Sequence, residues 1–201
     1  MKTFFKVLKW TAIILVGLFI LAEITRLPFR LNEEKTVKQV AKIHATKLQL
    51  SDVMGENLPP DPSAEADKTV EGIDANQNGI RDDVELAIFK SYPNSAKTRA
   101  VLLQYALALQ MEAVQPMVNS GTVGEVANKQ DKAFFCVAEI VPTKGEDGVI
   151  IGMEKYGKFL LEKQFNTELR KNKHKDFYSY LKSGRIDDSV SCDLDLATLP
   201  N

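Results

Sequence analysis

Histidine is scarce in this 201-residue chain, and that scarcity removes the commonest catalytic base. His44 and His174 are the only two, and neither lies near a cysteine or an acidic pair at zinc-ligand spacing. Each reads as a surface helix residue. The G-x-S-x-G, H-E-x-x-H and phosphate-loop patterns are missing, so the usual signatures of serine hydrolases, zincins and P-loop enzymes do not apply. Cysteine occurs only twice, too rarely for a disulfide scaffold. Strand-type alternation is nearly lacking. An excess of positive charge is lacking too: without Lys2, Lys6 and Lys9, the 26 basic residues fall to 23 against 27 acidic ones, a net charge of −4. That balance argues against general nucleic-acid binding, which needs a basic face.

What is present begins at the N-terminus. Lys2, Lys6 and Lys9 precede an uncharged run, Trp10 to Ala22 (WTAIILVGLFILA). A basic start followed by an apolar run is an export signal whose N-terminus stays in the cytoplasm. Thirteen residues fall short of the about 17–25 needed to span a bilayer. Counted from Phe4, with Lys6 and Lys9 reaching outward, the run extends to nineteen. Residues 1–22 thus read as a cleaved signal peptide or a retained anchor, and Ile20-Leu21-Ala22 is a mediocre cleavage site. The expected location is the periplasm, with residues 4–22 as the tether to the inner membrane if they are retained.

Cys136 and Cys192 form an even pair, which suggests one disulfide in an oxidising compartment. Cys136 also lies in an apolar helical stretch, AFFCVAEIV, so a buried free thiol is the competing reading.

The remainder divides into residues 23–73, a juxtamembrane helix and a proline-rich linker or surface strap, and residues 74–201, a helical domain. The stretch KTVKQVAKIHATKLQL has helical periodicity; NLPPDPSAEADKT, residues 57–69, does not. A short helix is expected over Val84 to Phe89, closed by Tyr92-Pro93. Asn94 or Ser95 should cap the next, Ala96 to about Val114, whose apolar stripe includes Val101, Leu102, Tyr105, Ala108 and Leu109. Further helices are expected from Val123 to Val141 after Gly121-Thr122, from Val149 to about Leu161 after a turn at Gly145 to Gly148, and from Thr167 to Leu181, with Gly184 closing the last. The basic run RKNKHK, residues 170–175, reads as a solvated helix face. Asp187, Asp188, Asp193 and Asp195 make an acidic tail of irregular spacing. The fold class is therefore an all-α, small helical bundle with an extended N-terminal segment and a loop-like C-terminus pinned by Cys192.

One segment carries specific chemistry. Residues 74–85, DANQNGIRDDVE, fit the twelve-position calcium loop D-x-[DN]-x-[DN]-G-x5-E at every fixed position. Calcium takes six to eight oxygens at about 2.3–2.6 Å. Asp74, Asn76 and Asn78 stand at positions 1, 3 and 5, and Gly79 supplies the turn at position 6. The Ile80 main-chain carbonyl, Asp82 and the Glu85 carboxylate complete the ligand set at positions 7, 9 and 12. Only three of these are charged, so the affinity expected is that of extracellular sites or weaker, Kd of about 10⁻⁴–10⁻³ M. The competing reading is a metal-free turn, with Asn78-Gly79 as the turn and Asp82 as a helix cap.

The loop resembles an EF-hand, but Arg81 stands at position 8 where sensor loops carry an apolar residue, and the chain has no second such loop. With Ile80 at position 7 and Asp82 at position 9 it is more similar to the loops of dockerins and thrombospondin type 3 repeats, which implies a structural metal. Pro59, Pro60, Pro62 and Gly72 leave no place for a long entering helix. The longer stretch EGIDANQNGIRDDVELAIFKSYPNSAKTRAVLLQYALALQ resembles segments of exported proteins of Gram-negative bacteria, which implies an envelope setting and no activity. The expectation is a non-enzymatic, calcium-stabilised envelope protein. The alternatives are a metal-free module for an envelope protein partner and an enzyme acting through paired carboxylates in a polar cleft.

Overall fold

The apolar N-terminal run and the periodic stretch beyond it form one continuous helix, α1 (Lys2–Ala45), rather than a span followed by a separate short helix. The joining residues are mostly good helix formers; Pro28 lies inside the helix and removes a single N–H donor. Glu23 pairs with Arg26 and Arg30, and Glu34 with Lys38, along this exposed stretch. The computed structural model describes residues 2–142, 145–181 and 192–200. Among them, α1 is the one helix long and apolar enough to cross a membrane, and its apolar window is wholly exposed. Gly184, Asp187 and Asp188 lie outside the described residues.

The far end of α1 joins the bundle. Ile43 is fully buried, and Thr36, Gln39 and His44 bond to Asn119, Gln115 and Glu125. His44 is the surface residue expected. The short helix α2 (Leu50–Met54) follows and stops at Gly55, whose φ of 73° is the left-handed conformation that suits a residue without Cβ. Ile43, Leu48 and Val53 thus belong to the same core as the helices that come later.

Those helices are α3 (Asp82–Ser91), α4 (Ala96–Val114), α5 (Ser120–Cys136), α6 (Gly145–Gln164) and α7 (Glu168–Ser179). No strand occurs among the described residues, so the fold is an all-α bundle. Ser95 is the cap of α4, its side chain accepting from the Thr98 amide. α5 begins three residues before Val123, because Asn119 accepts from the Gly121 and Thr122 amides and draws both into the first turn. It ends at Cys136, and a 3₁₀ turn, Val137–Ile140, completes the stretch expected to run to Val141. Residues Gly145 to Gly148 are helical rather than a turn; Asp147 in this first turn suits the positive end of the helix dipole.

α4 lies at the centre and departs from the single apolar stripe expected of it. Sixteen of its residues are buried, without a break from Thr98 to Glu112. The polar ones among them have partners. Arg99 donates to the Val53, Tyr92 and Pro93 carbonyls, with its guanidinium 4.9 Å from the Phe89 ring centre. Gln110 donates to the Glu71 carbonyl, and Glu112 pairs with His174 at 2.8 Å.

The proline-rich segment is an ordered strap rather than a free linker. Pro59 and Ala66 are buried, and Ser63–Asp67 forms a 3₁₀ turn. It is held by Arg170, which is 2% exposed. Its guanidinium donates to the Val70, Thr69 and Ala66 carbonyls, to Asp67 at 2.7 Å and to Asn166 at 2.6 Å. The basic run 170–175 is therefore not a uniformly solvated face. Arg170, His174 and Phe177, spaced by four and three, form the inward side of α7. His174 is likewise not a plain surface residue: it stacks 4.1 Å from Phe165 and bonds buried Glu112.

Cys136 and Cys192 stand at disulfide distance, with Cα atoms 5.4 Å apart, and no free cysteine occurs among the described residues. Beyond Cys192 the chain crosses the bundle to bury Leu199, and the Pro200 carbonyl accepts from Ala96 at the start of α4.

Arg170→Met should destabilise the protein by about 3 kcal/mol in urea unfolding, because it strands several carbonyls at once. Lys171→Met removes only an exposed pair with Glu168 and should cost less than about 0.5 kcal/mol. Reducing the disulfide should cost roughly 4 kcal/mol by the same measurement, for a separation of 56 residues.

Candidate metal centre

The loop from Asp74 to Glu85 is entered by extended and bent chain, not by a helix, and it opens α3. Two residues take left-handed conformations within it, Gln77 at φ 58° and Gly79 at φ 84°. A Cβ on Gly79 would also meet the Leu107 side chain of α4, so the turn lies directly on the central helix. Ile80 is fully buried and anchors the loop in the core.

The side-chain oxygens curl toward the loop's own amides. Asp74 accepts from the Asn78 amide at 3.1 Å and the Gly79 amide at 2.9 Å. Asn76 accepts weakly from Asn78 at 3.4 Å, and Asn78 accepts from the Ile80 amide at 2.9 Å. Asp82 accepts from the Ala75 amide at 3.0 Å. A carboxylate has about four lone-pair sites, so these bonds leave Asp74 and Asp82 further acceptor capacity. Asp74, Asn76, Asn78, Ile80, Asp82 and Glu85 are thus gathered around one turn. Asn76, however, turns its amide nitrogen inward, donating to Glu85 at 3.1 Å and to the Asn57 carbonyl at 2.9 Å.

The electrostatics are those of crowded negative charge. Asp82 and Glu85 are 0% and 1% exposed, and no basic side chain pairs with either among the described residues. Burial pushes the Glu85 carboxyl up to about 7, the Asn76 and Asn78 side-chain amides oppose this, and repulsion from Asp52 and Asp82 adds to it. Burial raises Asp82 as well, against the Ala75 amide, with Asp74 and Asp83 adding repulsion. The Asn78 side-chain nitrogen is buried and faces the Glu85 carboxyl. Among the described residues no three His, Cys, Asp or Glu side chains converge closely enough to hold a metal by themselves. Any ligand shell here therefore draws on the amide and main-chain oxygens of the loop.

Two contributors escape a reading of the sequence. Asp52, on α2, adds a carboxylate from 22 residues before the loop, and no spacing rule connects them. Arg81, which departs from sensor loops at position 8, is 0% exposed and points away from the loop's oxygens. It pairs with Asp83 at 2.5 Å and donates to the Gln164 and Lys163 carbonyls at the end of α6. A Cβ on Gly72 would collide with this side chain, so Gly72, at φ 71°, makes room for it. Comparison with protein-family models, curated proteins and solved structures gave no match.

The raised carboxyl has a definite sign in pH. A folded value near 7, above the 4.5 of a free glutamate, means that the folded state holds the proton longer. In chelator, stability should fall as pH rises from about 4.5 to 7, by about 3 kcal/mol from Glu85. Glu85→Gln should raise the melting temperature at pH 8 in chelator and change it little at pH 4. Equal shifts at both pH values would contradict a buried, strained carboxylate.

Proposed function

We propose that residues 74–85 form a structural calcium site in a non-enzymatic, helical protein of the bacterial envelope, tethered through α1. The observation that carries this reading is the burial of Asp82 and Glu85 inside a loop of oxygen donors, with no basic partner among the described residues. A buried charge without compensation is costly, and a divalent cation compensates several carboxylates at once. The donor set is oxygen only, which suits calcium rather than zinc or copper. Asp74, Asn76, Asn78, the Ile80 carbonyl, Asp82 and Glu85 supply it. Binding turns the Asn76 amide over, exchanging its bonds to Asn57 and Glu85 for a bond to the metal. The site clips the start of α3 to the bundle and acts on stability.

The setting agrees with a weak site. Calcium at about 10⁻⁴–10⁻³ M affinity fills outside the cytoplasm and stays empty within it. The exposed apolar half of α1 and the Cys136–Cys192 pair suit export across an inner membrane. A metal-free turn in a module for an envelope protein partner is the second reading, favoured by the Asn76–Glu85 bond that closes the loop on itself.

Calcium titration of the full chain in detergent, at pH 7.5, separates the two. At about ten times Kd the metal should add roughly 1.4 kcal/mol, or about 3–6 °C in melting temperature. Glu85→Gln should abolish that gain, and magnesium should give less of it. An unchanged melting temperature at millimolar calcium would leave the loop as a turn.

A further inference from the structure

A cavity of about 250 Å³ lies between the end of α1, α4, α5 and the segment that follows Cys192. Its floor is apolar, formed by Leu107 and Met111 of α4 and Ala133 of α5. In its walls Lys47 and Lys129 are balanced in charge by Glu125 and Asp193, and Lys132 has a partner of its own. Both carboxylates are engaged: Glu125 faces His44 at 2.7 Å, and Asp193 accepts from the Leu48 amide at 2.9 Å. What sets this cavity apart is therefore the state of one amine rather than its net charge.

Lys129 is that amine. It is half-buried, and its nitrogen donates to the Thr46 carbonyl. A carbonyl accepts from a neutral amine as well as from an ammonium, so this bond does not call for the charge. Among the described residues no carboxylate stands within ion-pair distance of the nitrogen. Burial pushes the amine below the usual lysine range; Asp193 opposes this, while Lys47 and Lys132 add to it. A desolvated amine above an apolar floor is the setting in which lysine attacks a carbonyl carbon.

We propose that this cavity captures a small aldehyde or ketone as an imine on Lys129, with the apolar body of the ligand on Leu107, Met111 and Ala133. The nitrogen lone pair attacks the carbonyl carbon, C=N replaces C=O, and both amine hydrogens leave with the carbonyl oxygen as one water. Glu125, one turn before Lys129 on α5 and joined to His44, is placed to pass these protons. The volume corresponds to roughly eight waters, which suits a single ring and excludes a nucleotide or a whole lipid. The capture is reversible, needs no metal and does not draw on the oxygens of the loop at 74–85.

Benzaldehyde with cyanoborohydride, which reduces the imine to a stable secondary amine, tests this on the full chain in detergent, with peptide mass spectrometry reading each lysine. At pH 7.5 Lys129 should take the benzyl group at least about tenfold faster than the exposed Lys68 and Lys158. Benzyl alcohol, which has the same body and no carbonyl, should slow labelling of Lys129 and leave Lys68 unchanged. At about pH 10.4 the rates should draw together, because the exposed amines then lose their protons too. Lys129→Arg, which keeps the charge, should lose the fast site with no other lysine replacing it; if that variant does not fold, the labelling order in the unaltered protein decides alone. Equal labelling of Lys129 and the exposed lysines, faster labelling of Lys47 or Lys132, or no slowing by benzyl alcohol would each overturn the assignment.

Discussion

A helix buried on every side must be covered on every side, and α4 imposes that requirement on the rest of this protein. Its run from Thr98 to Glu112 contains five residues that are polar or charged, so covering it with apolar surface alone would strand their side chains. The surrounding elements answer with partners as well as packing. α2 offers the Val53 carbonyl to Arg99, the strap offers the Glu71 carbonyl to Gln110, α7 offers His174 to Glu112, and the final segment offers the Asp193 amide to Gln104. Segments far apart in the chain thus converge because each satisfies a different polar group of one helix.

Two buried guanidiniums extend this arrangement outward. Arg81 ties the oxygen-rich loop to the last carbonyls of α6, and α6 returns to the centre through Gln164 and Gln110, 2.5 Å apart. Arg170 ties the proline-rich strap to α7. The two side chains flank Gly72, the residue just before the loop's approach to Asp74. Any change that loosens the loop is therefore felt at α6 and the strap, which is why a cation in it would act on the stability of the whole bundle.

The loop and a cavity of about 250 Å³ between the end of α1, α4 and α5 share a wall. Leu107 of α4 packs beneath Gly79 on one side and lines the cavity floor on the other. The loop gathers buried carboxylates that no basic side chain pairs with among the described residues, whereas the cavity walls mix lysines with Glu125 and Asp193. α4 separates the two by a layer of buried apolar side chains.

The helical class, the limits of α4, the apolar N-terminal helix and the turn at Gly79 were legible in the sequence, as was a disulfide between Cys136 and Cys192, though beside the competing reading of a buried thiol. Each rests on local information: periodicity, a serine cap, an apolar run, the count of two cysteines, a residue that tolerates positive φ. It did not reveal that α1 runs unbroken into the bundle, because Pro28 is a weaker obstacle within a long helix than its local propensity implies. Nor did it disclose the roles of Arg81, Arg170 and His174, which spacing placed among solvated or mismatched residues. Those roles depend on carbonyls and a carboxylate 62 to 104 positions away, and only the packing of α4, α6, α7 and the strap brings them within hydrogen-bond reach. The twelve-residue pattern pointed to oxygen donors and calcium; the burial of Asp82 and Glu85, with Asp52 brought near from α2 and no basic partner among the described residues, comes from long-range packing that no local pattern encodes.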